Sequence, residues 1–166
     1  MNADSIRHFY EYHFNENRTL WERYVMPLTQ EQFTQPVEYS LGSVCNQLVH
    51  IMNVDETWFC ELRGVELKDW RDPAAFDDRD VIRAEWDKIE QIQREYLAAL
   101  SDEKLNEKPV PEGEDKDLIA WQILLHVVNH GTDHRAQVLR VLHDLGVNTT
   151  SQDYIFYVYD HPLKSV

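Results

Sequence analysis

Apolar residues recur every three to four positions along four long stretches of this chain, the period of α-helices that bury one face. The first stretch covers residues 4–26, where Ile6, Phe9, Tyr10, His13, Leu20 and Trp21 mark the apolar side. Asp4 or Ser5 can cap it and Pro27 ends it. A short turn of helix follows over 29–33, where Thr29 and Gln32 fit a capping box. The second long helix spans 41–63, with Ser40 as its cap and Gly64 as its stop, and buries Val44, Leu48, Ile51, Met52, Phe59 and Leu62. The third runs over 79–100 through Ile82, Trp86, Ile89, Ile92, Tyr96 and Leu97, and the fourth over 118–145, closed by Gly146.

The connections differ in character. Residues 65–78 carry Trp70, Pro73 and Phe76 and are expected to pack over one end of the helices. Residues 101–116 hold Pro109, Pro111 and Gly113 among acidic side chains and read as a loop. The segment DYIFYVYD, 153–160, is too apolar to hang free; it is expected to dock as a short helix or strand, its aromatics serving the core. The expected fold is all-α, a four-helix bundle with one long crossover connection, in a single domain over 1–166.

Charge and cysteine usage narrow the function classes. With 16 basic against 30 acidic residues the net charge is −14, and no basic patch stands out, which argues against nucleic acid or an anionic membrane as partner. No run of about 18 apolar residues exists to span a bilayer. The N-terminus lacks the basic and apolar regions of a signal peptide. Cys45 and Cys60 fall on one helix, ~22 Å apart at 1.5 Å per residue, too far to pair. A cytoplasmic protein with reduced thiols is the expectation. Phosphate-binding glycine loops, CxxC and GxSxG are all missing from the sequence, which leaves nucleotide-binding and serine-hydrolase readings without support.

The candidate chemistry sits in the fourth helix, where His126, His130 and His134 are spaced four apart in WQILLHVVNHGTDHRAQVLRVLHDL. Residues four apart lie ~6 Å from each other on one helix face, a workable spacing for two imidazoles on one metal ion. His130 and His134 fall on or beside the apolar stripe with Val127, Val138 and Val141. His126 falls on the polar side and lies ~12 Å along the axis from His134. The expected pair is therefore His130 and His134, with His126 a boundary residue or outer partner. The competing account makes them satisfied core histidines.

Two oddities weigh against that bland account. Gly131 stands mid-helix at a cost of ~1 kcal/mol against alanine, so a close approach is expected there. Arg135 lies in the buried arc of the same helix, where an unpaired charge is expensive. Asp55 is equally misplaced in the apolar arc of the second helix, so the two are expected to form a buried ion bridge. His8 and His13, five apart, do not make a ligand pair and read as structural or exposed.

A metal on the helical pair needs a further ligand, and His50, at the edge of the second helix's buried arc, is the best candidate. Three neutral imidazoles leave a coordination position open for water or substrate, the arrangement of a catalytic ion. Nitrogen-only ligation suits zinc, nickel, iron or copper better than magnesium or calcium. Asp133, Asn129 and Gln137 are the expected outer groups, with Asp133 the candidate for catalytic proton transfer.

LVHIMNVDETWF at 48–59, followed by LLHVVNHGTDHRAQV at 124–138, resembles the DinB-like family of damage-inducible, metal-binding four-helix bundles. The likeness covers nearly the whole chain, and its most specific part is Asn129, His130, His134, Arg135 and Gln137. The resemblance implies a metal triad of His50, His130 and His134, and an acidic residue at 55. It departs at Ala136, where relatives often carry glycine, and at Asp133, where many carry an aromatic or hydroxyl residue. In fold and metal site the family is similar to transferases and isomerases that use low-molecular-weight thiols such as bacillithiol or mycothiol, and dimers are common in it.

The expected protein is thus a divalent-metal-dependent enzyme, a thiol S-transferase or hydrolase-like relative. Zinc or nickel is the expected ion, with iron compatible. A small-molecule substrate, a low-molecular-weight thiol and a second copy of the chain in a homodimer are its expected partners. The alternative is a non-catalytic, metal-stabilised stress-response or binding bundle.

Overall fold

Helix α1, Ala3–Leu20, opens the fold in a computed structural model that describes residues 1–162. Its cap is Asn2, whose side chain accepts the Ser5 N–H, and not Asp4 or Ser5 as expected. Asp4 instead sits in the first turn, where its charge complements the helix dipole. The helix continues into a wider π turn, Trp21–Val25, so the expected single rod exists but its last turn is expanded. Pro27 ends it, having no N–H to donate and a ring that crowds the carbonyl four residues back. Helix α2, Gln30–Thr34, carries the expected capping box of Thr29 and Gln32.

Helix α3, Val44–Arg63, starts three residues later than its sequence pattern suggested. Ser40 cannot cap it because Ser40 itself sits at φ 50, followed by Gly42 at φ 97. The chain turns left-handed twice there, and Ser43 takes over as cap by accepting the Asn46 N–H. Helix α4, Arg79–Ala98, is capped by Asp78, which accepts from the N–H groups of Asp80 and Val81. Helix α5, Ala120–Asp144, carries the histidines, and a seven-residue helix α6, Tyr154–Asp160, closes the described chain. The expected domain range of 1–166 runs into residues 163–166, which lie outside the described residues.

The four long helices form the bundle: α5 packs against α3 and α1, and α4 packs against the same two. The regular elements among the described residues are all helical. The apolar interior falls into two clusters. One gathers Trp21, Leu48, Met52, Trp86, Val138 and Leu142; the other gathers Ile6, Tyr10, Phe59, Ile123, Val127 and Val128. Between them, by position along each helix, lies a polar layer of His13, Asn17, Asp55 and Arg135, all buried.

That layer corrects the expected Asp55–Arg135 bridge. The two residues do not pair directly; the His13 ring lies between them, with Nε2 3.5 Å from Asp55 Oδ2 and Nδ1 3.1 Å from Arg135 Nη1. Arg135 can only donate, so Nδ1 of His13 accepts, while Nε2 faces Asn17 Nδ2 at 3.1 Å as well as the Asp55 carboxylate. The guanidinium also donates to Asn17 Oδ1 at 2.8 Å, Gln152 Oε1 at 2.9 Å and Thr132 Oγ1 at 3.0 Å. Burial holds the His13 imidazole below its usual pKa despite the adjacent carboxylate.

The same ring explains Gly131. A Cβ on that residue would stand 2.5 Å from His13 Cε1 and 2.9 Å from Nδ1. His13 cannot retreat without breaking its contacts to Arg135 and Asp55. Gly131→Ala therefore gains helix propensity yet should destabilise the protein by about 2 kcal/mol net, as overpacking outweighs propensity. The urea midpoint of the variant against the parent checks this, and an unchanged or raised midpoint would contradict it.

Two connections also differ from expectation. Residues 65–78 run along α3 instead of capping an end, with Arg71 N–H donating to Asn53 Oδ1 and Arg71 paired to Glu56 and Glu85. Tyr12 and Arg135 pin the segment before α6 by bonding the backbone and side chain of Gln152. Helix α6 lays Tyr154 and Tyr157 on His8, Phe9 and Tyr12. The tail docks as a short helix as expected, but its core role is met only in part: half-buried Tyr157 packs against the second apolar cluster, while Ile155, Phe156 and Tyr159 face outward. A short helix that is apolar all round can seat only one side on its neighbour.

Candidate metal centre

Packing of α3 on α5 brings three imidazoles together. His50 comes from α3; His130 and His134 come from successive turns of α5. Each offers a ring nitrogen, and these nitrogens all lie within 4.8 Å of one another. His50 Nε2 is 3.0 Å from His130 Nε2. The rings are tilted against each other, with centroids 4.4 to 5.0 Å apart. All three are half-buried.

The electrostatics favour neutral rings. Burial lowers the pKa of His130 to about 3, with His134, His50, His126 and His13 adding to the effect. Burial also lowers His50, helped by His134. It lowers His134 too, although Asp133 and Gln137 pull the other way. Lone pairs are therefore free on rings that resist protonation, which is the state a metal requires.

This donor set fits a divalent ion of the zinc or nickel kind. Nitrogens ~2.0–2.1 Å from a tetrahedral ion lie roughly 3.3 Å apart, within the spread seen among these rings. Three neutral nitrogens with no carboxylate in the group suit a borderline ion better than magnesium or calcium.

One ring is held by a residue the sequence reading passed over. His134 Nδ1 lies 2.8 Å from Oε1 of Gln47, a fully buried side chain one turn before His50 on α3. The only hint of it in the sequence is its spacing, three residues before His50 on the same helix face. His130 Nδ1, by contrast, is buried without a partner among the described residues. Trp70, 56% exposed, stands edge-on to His50 with centroids 5.6 Å apart, and its Nε1–H donates to Thr57 Oγ1. Trp58 stands edge-on to His126.

The remaining candidates are placed as follows. His126 is exposed, 5.7 Å from His130 by ring centroid, and outside the three-histidine group. Asp133 is exposed on the turn next to His134, and its Oδ2 accepts from Gln137 Nε2 at 3.0 Å. Gln137 in turn receives the Ser40 hydroxyl. Asn129 is not an outer group of the histidines; it lines a groove of about 550 Å³ between α5, α1 and the tail.

No helix is long and apolar enough to cross a membrane among the described residues. The chain is 25% identical over 168 residues to Protein DinB of Bacillus subtilis (strain 168), an alignment covering 95% of each chain. The DinB family model matches residues 1–162, helices and three-histidine group included, and the chain belongs to the DinB family.

Proposed function

We propose that this protein is a metal-dependent enzyme that joins a low-molecular-weight thiol to a small electrophile, with zinc or nickel held by His50, His130 and His134. The supporting observation is the gathering of three neutral imidazoles from two helices at a half-exposed position. A divalent ion bound there supplies a Lewis acid that lowers the pKa of a thiol or water towards neutrality.

The chain's own groups do the rest. Gln137 occupies Oδ2 of Asp133, which leaves Oδ1 to take a proton from the incoming thiol. The indole of Trp70, fixed by Thr57, stands against His50 and shields that side from water. The thiol sulfur forms a bond to carbon as the leaving group departs with its electron pair.

The test incubates the zinc- or nickel-loaded protein with cysteine and 1-chloro-2,4-dinitrobenzene, following the thioether at its absorbance maximum. Loaded protein is expected to exceed metal-stripped protein at least tenfold, and Asp133→Asn to lower the loaded rate by about 10²-fold. Bound metal without turnover for this and other thiol–electrophile pairs would favour the non-catalytic, metal-stabilised bundle instead.

A further inference from the structure

Gln47 sits where a glutamine is hard to explain by stability. Its side chain has no exposure, on the interior side of α3. Its amide makes one useful contact, from Oε1 to His134 Nδ1 at 2.8 Å. The other end, Nε2, is a buried donor with no partner among the described residues. A buried donor left unsatisfied costs about 1–3 kcal/mol, and an apolar side chain of similar volume would remove that cost.

What the amide does is decide where the proton of His134 sits. Oε1 can only accept, so the ring carries its proton on Nδ1 and leaves the Nε2 lone pair free. Turning the amide over would reverse this. Nε2 of Gln47 would then donate to Nδ1, the ring proton would move to Nε2 of His134, and that nitrogen could no longer ligate. His130 has no comparable holder, since its Nδ1 is buried without a partner. Gln47 also shares α3 with His50, so the contact joins the two ligand-bearing helices at the level of the ligands.

We infer that Gln47 is a positioning residue for the metal centre, fixing the tautomer and ring orientation of His134 from the neighbouring helix. The inference rests on the three histidines holding an ion. Outer partners of this kind typically change metal affinity by about 10–100-fold.

The experiment measures zinc affinity by competition with a chromophoric chelator, together with the melting temperature of each metal-free protein. Gln47→Met keeps the volume and removes the acceptor. It is expected to bind zinc about 10–100-fold more weakly while its metal-free form melts no lower than the parent, because the orphaned amide is gone. Gln47→Glu keeps an acceptor in place and is expected to bind within about threefold of the parent. A purely packing role predicts the opposite for methionine: a lower metal-free melting temperature and unchanged affinity. Methionine affinity equal to the parent's, or glutamate affinity as weak as methionine's, overturns the role of Gln47 alone. A parent protein that binds no zinc overturns the metal reading and the inference with it.

Discussion

Zinc is expected to raise the melting temperature of the parent protein by roughly 10 °C, and His130→Ala to erase almost all of that rise. An ion present at about 1,000 times its dissociation constant stabilises the folded form by about 4 kcal/mol. For a domain of this size each kcal/mol is worth roughly 2–4 °C. His130 is the most telling position because its ring faces His50 at 3.0 Å and its pKa is pushed down to about 3. Its Nδ1 has no partner among the described residues, so the metal-free alanine variant gives up only the ring contact with His50. The loss should therefore appear in the response to zinc and not in the baseline. Thermal melts with and without zinc, with metal content measured on the same samples, decide it. An alanine variant with the parent's full zinc response would show that the ion sits elsewhere.

The second large effect concerns the buried layer. Arg135→Met should cost about 3–5 kcal/mol, the range for removing one partner from a buried charged network. The methionine fills much of the space but leaves the Asp55 carboxylate without the nearby cation and leaves acceptors on Asn17 and Gln152 without their donor. Urea unfolding of the single variants and of Arg135→Met combined with Asp55→Asn gives the coupling through His13. The double variant should be more stable than the sum of the two losses, because the aspartate then carries no stranded charge. A loss below about 1 kcal/mol for Arg135→Met would mean that the layer reaches water and is not a buried network at all.

The fold was legible in the periodicity because each long helix buries one continuous stripe, and Trp86, Ile123 and Val138 fall where that stripe puts them. Helix starts were less so. Ser40 and Ser43 both look like caps, and only the left-handed backbone at Ser40 rules it out. The histidine group was readable because His130 and His134 repeat at one helical turn, and His50 lies at the edge of the buried arc of the helix that a bundle can set beside them, a choice the family resemblance shared. Asp55 and Arg135 were recognised as buried charges, but not the ring between them. His13 has no spaced partner on its own helix, and a contact between three helices leaves no mark in any one of them. Gln47 escaped for the same reason, since its partner is 87 residues away. The outward aromatics of the tail were misjudged because apolar composition shows that a segment docks without showing how many of its faces find cover.

Helix α5 also bears on how such a protein can diverge. His130 and His134 each stand one residue ahead of Gly131 and Arg135, so the same two turns serve an outward and an inward duty at once. Rolling this rod slightly to re-space the imidazoles would drag the guanidinium from its interior berth. Change around the histidines is therefore channelled to the rim, at positions such as Ser40 and His126, whose exposed side chains can be exchanged while the hub beneath them stays as it is.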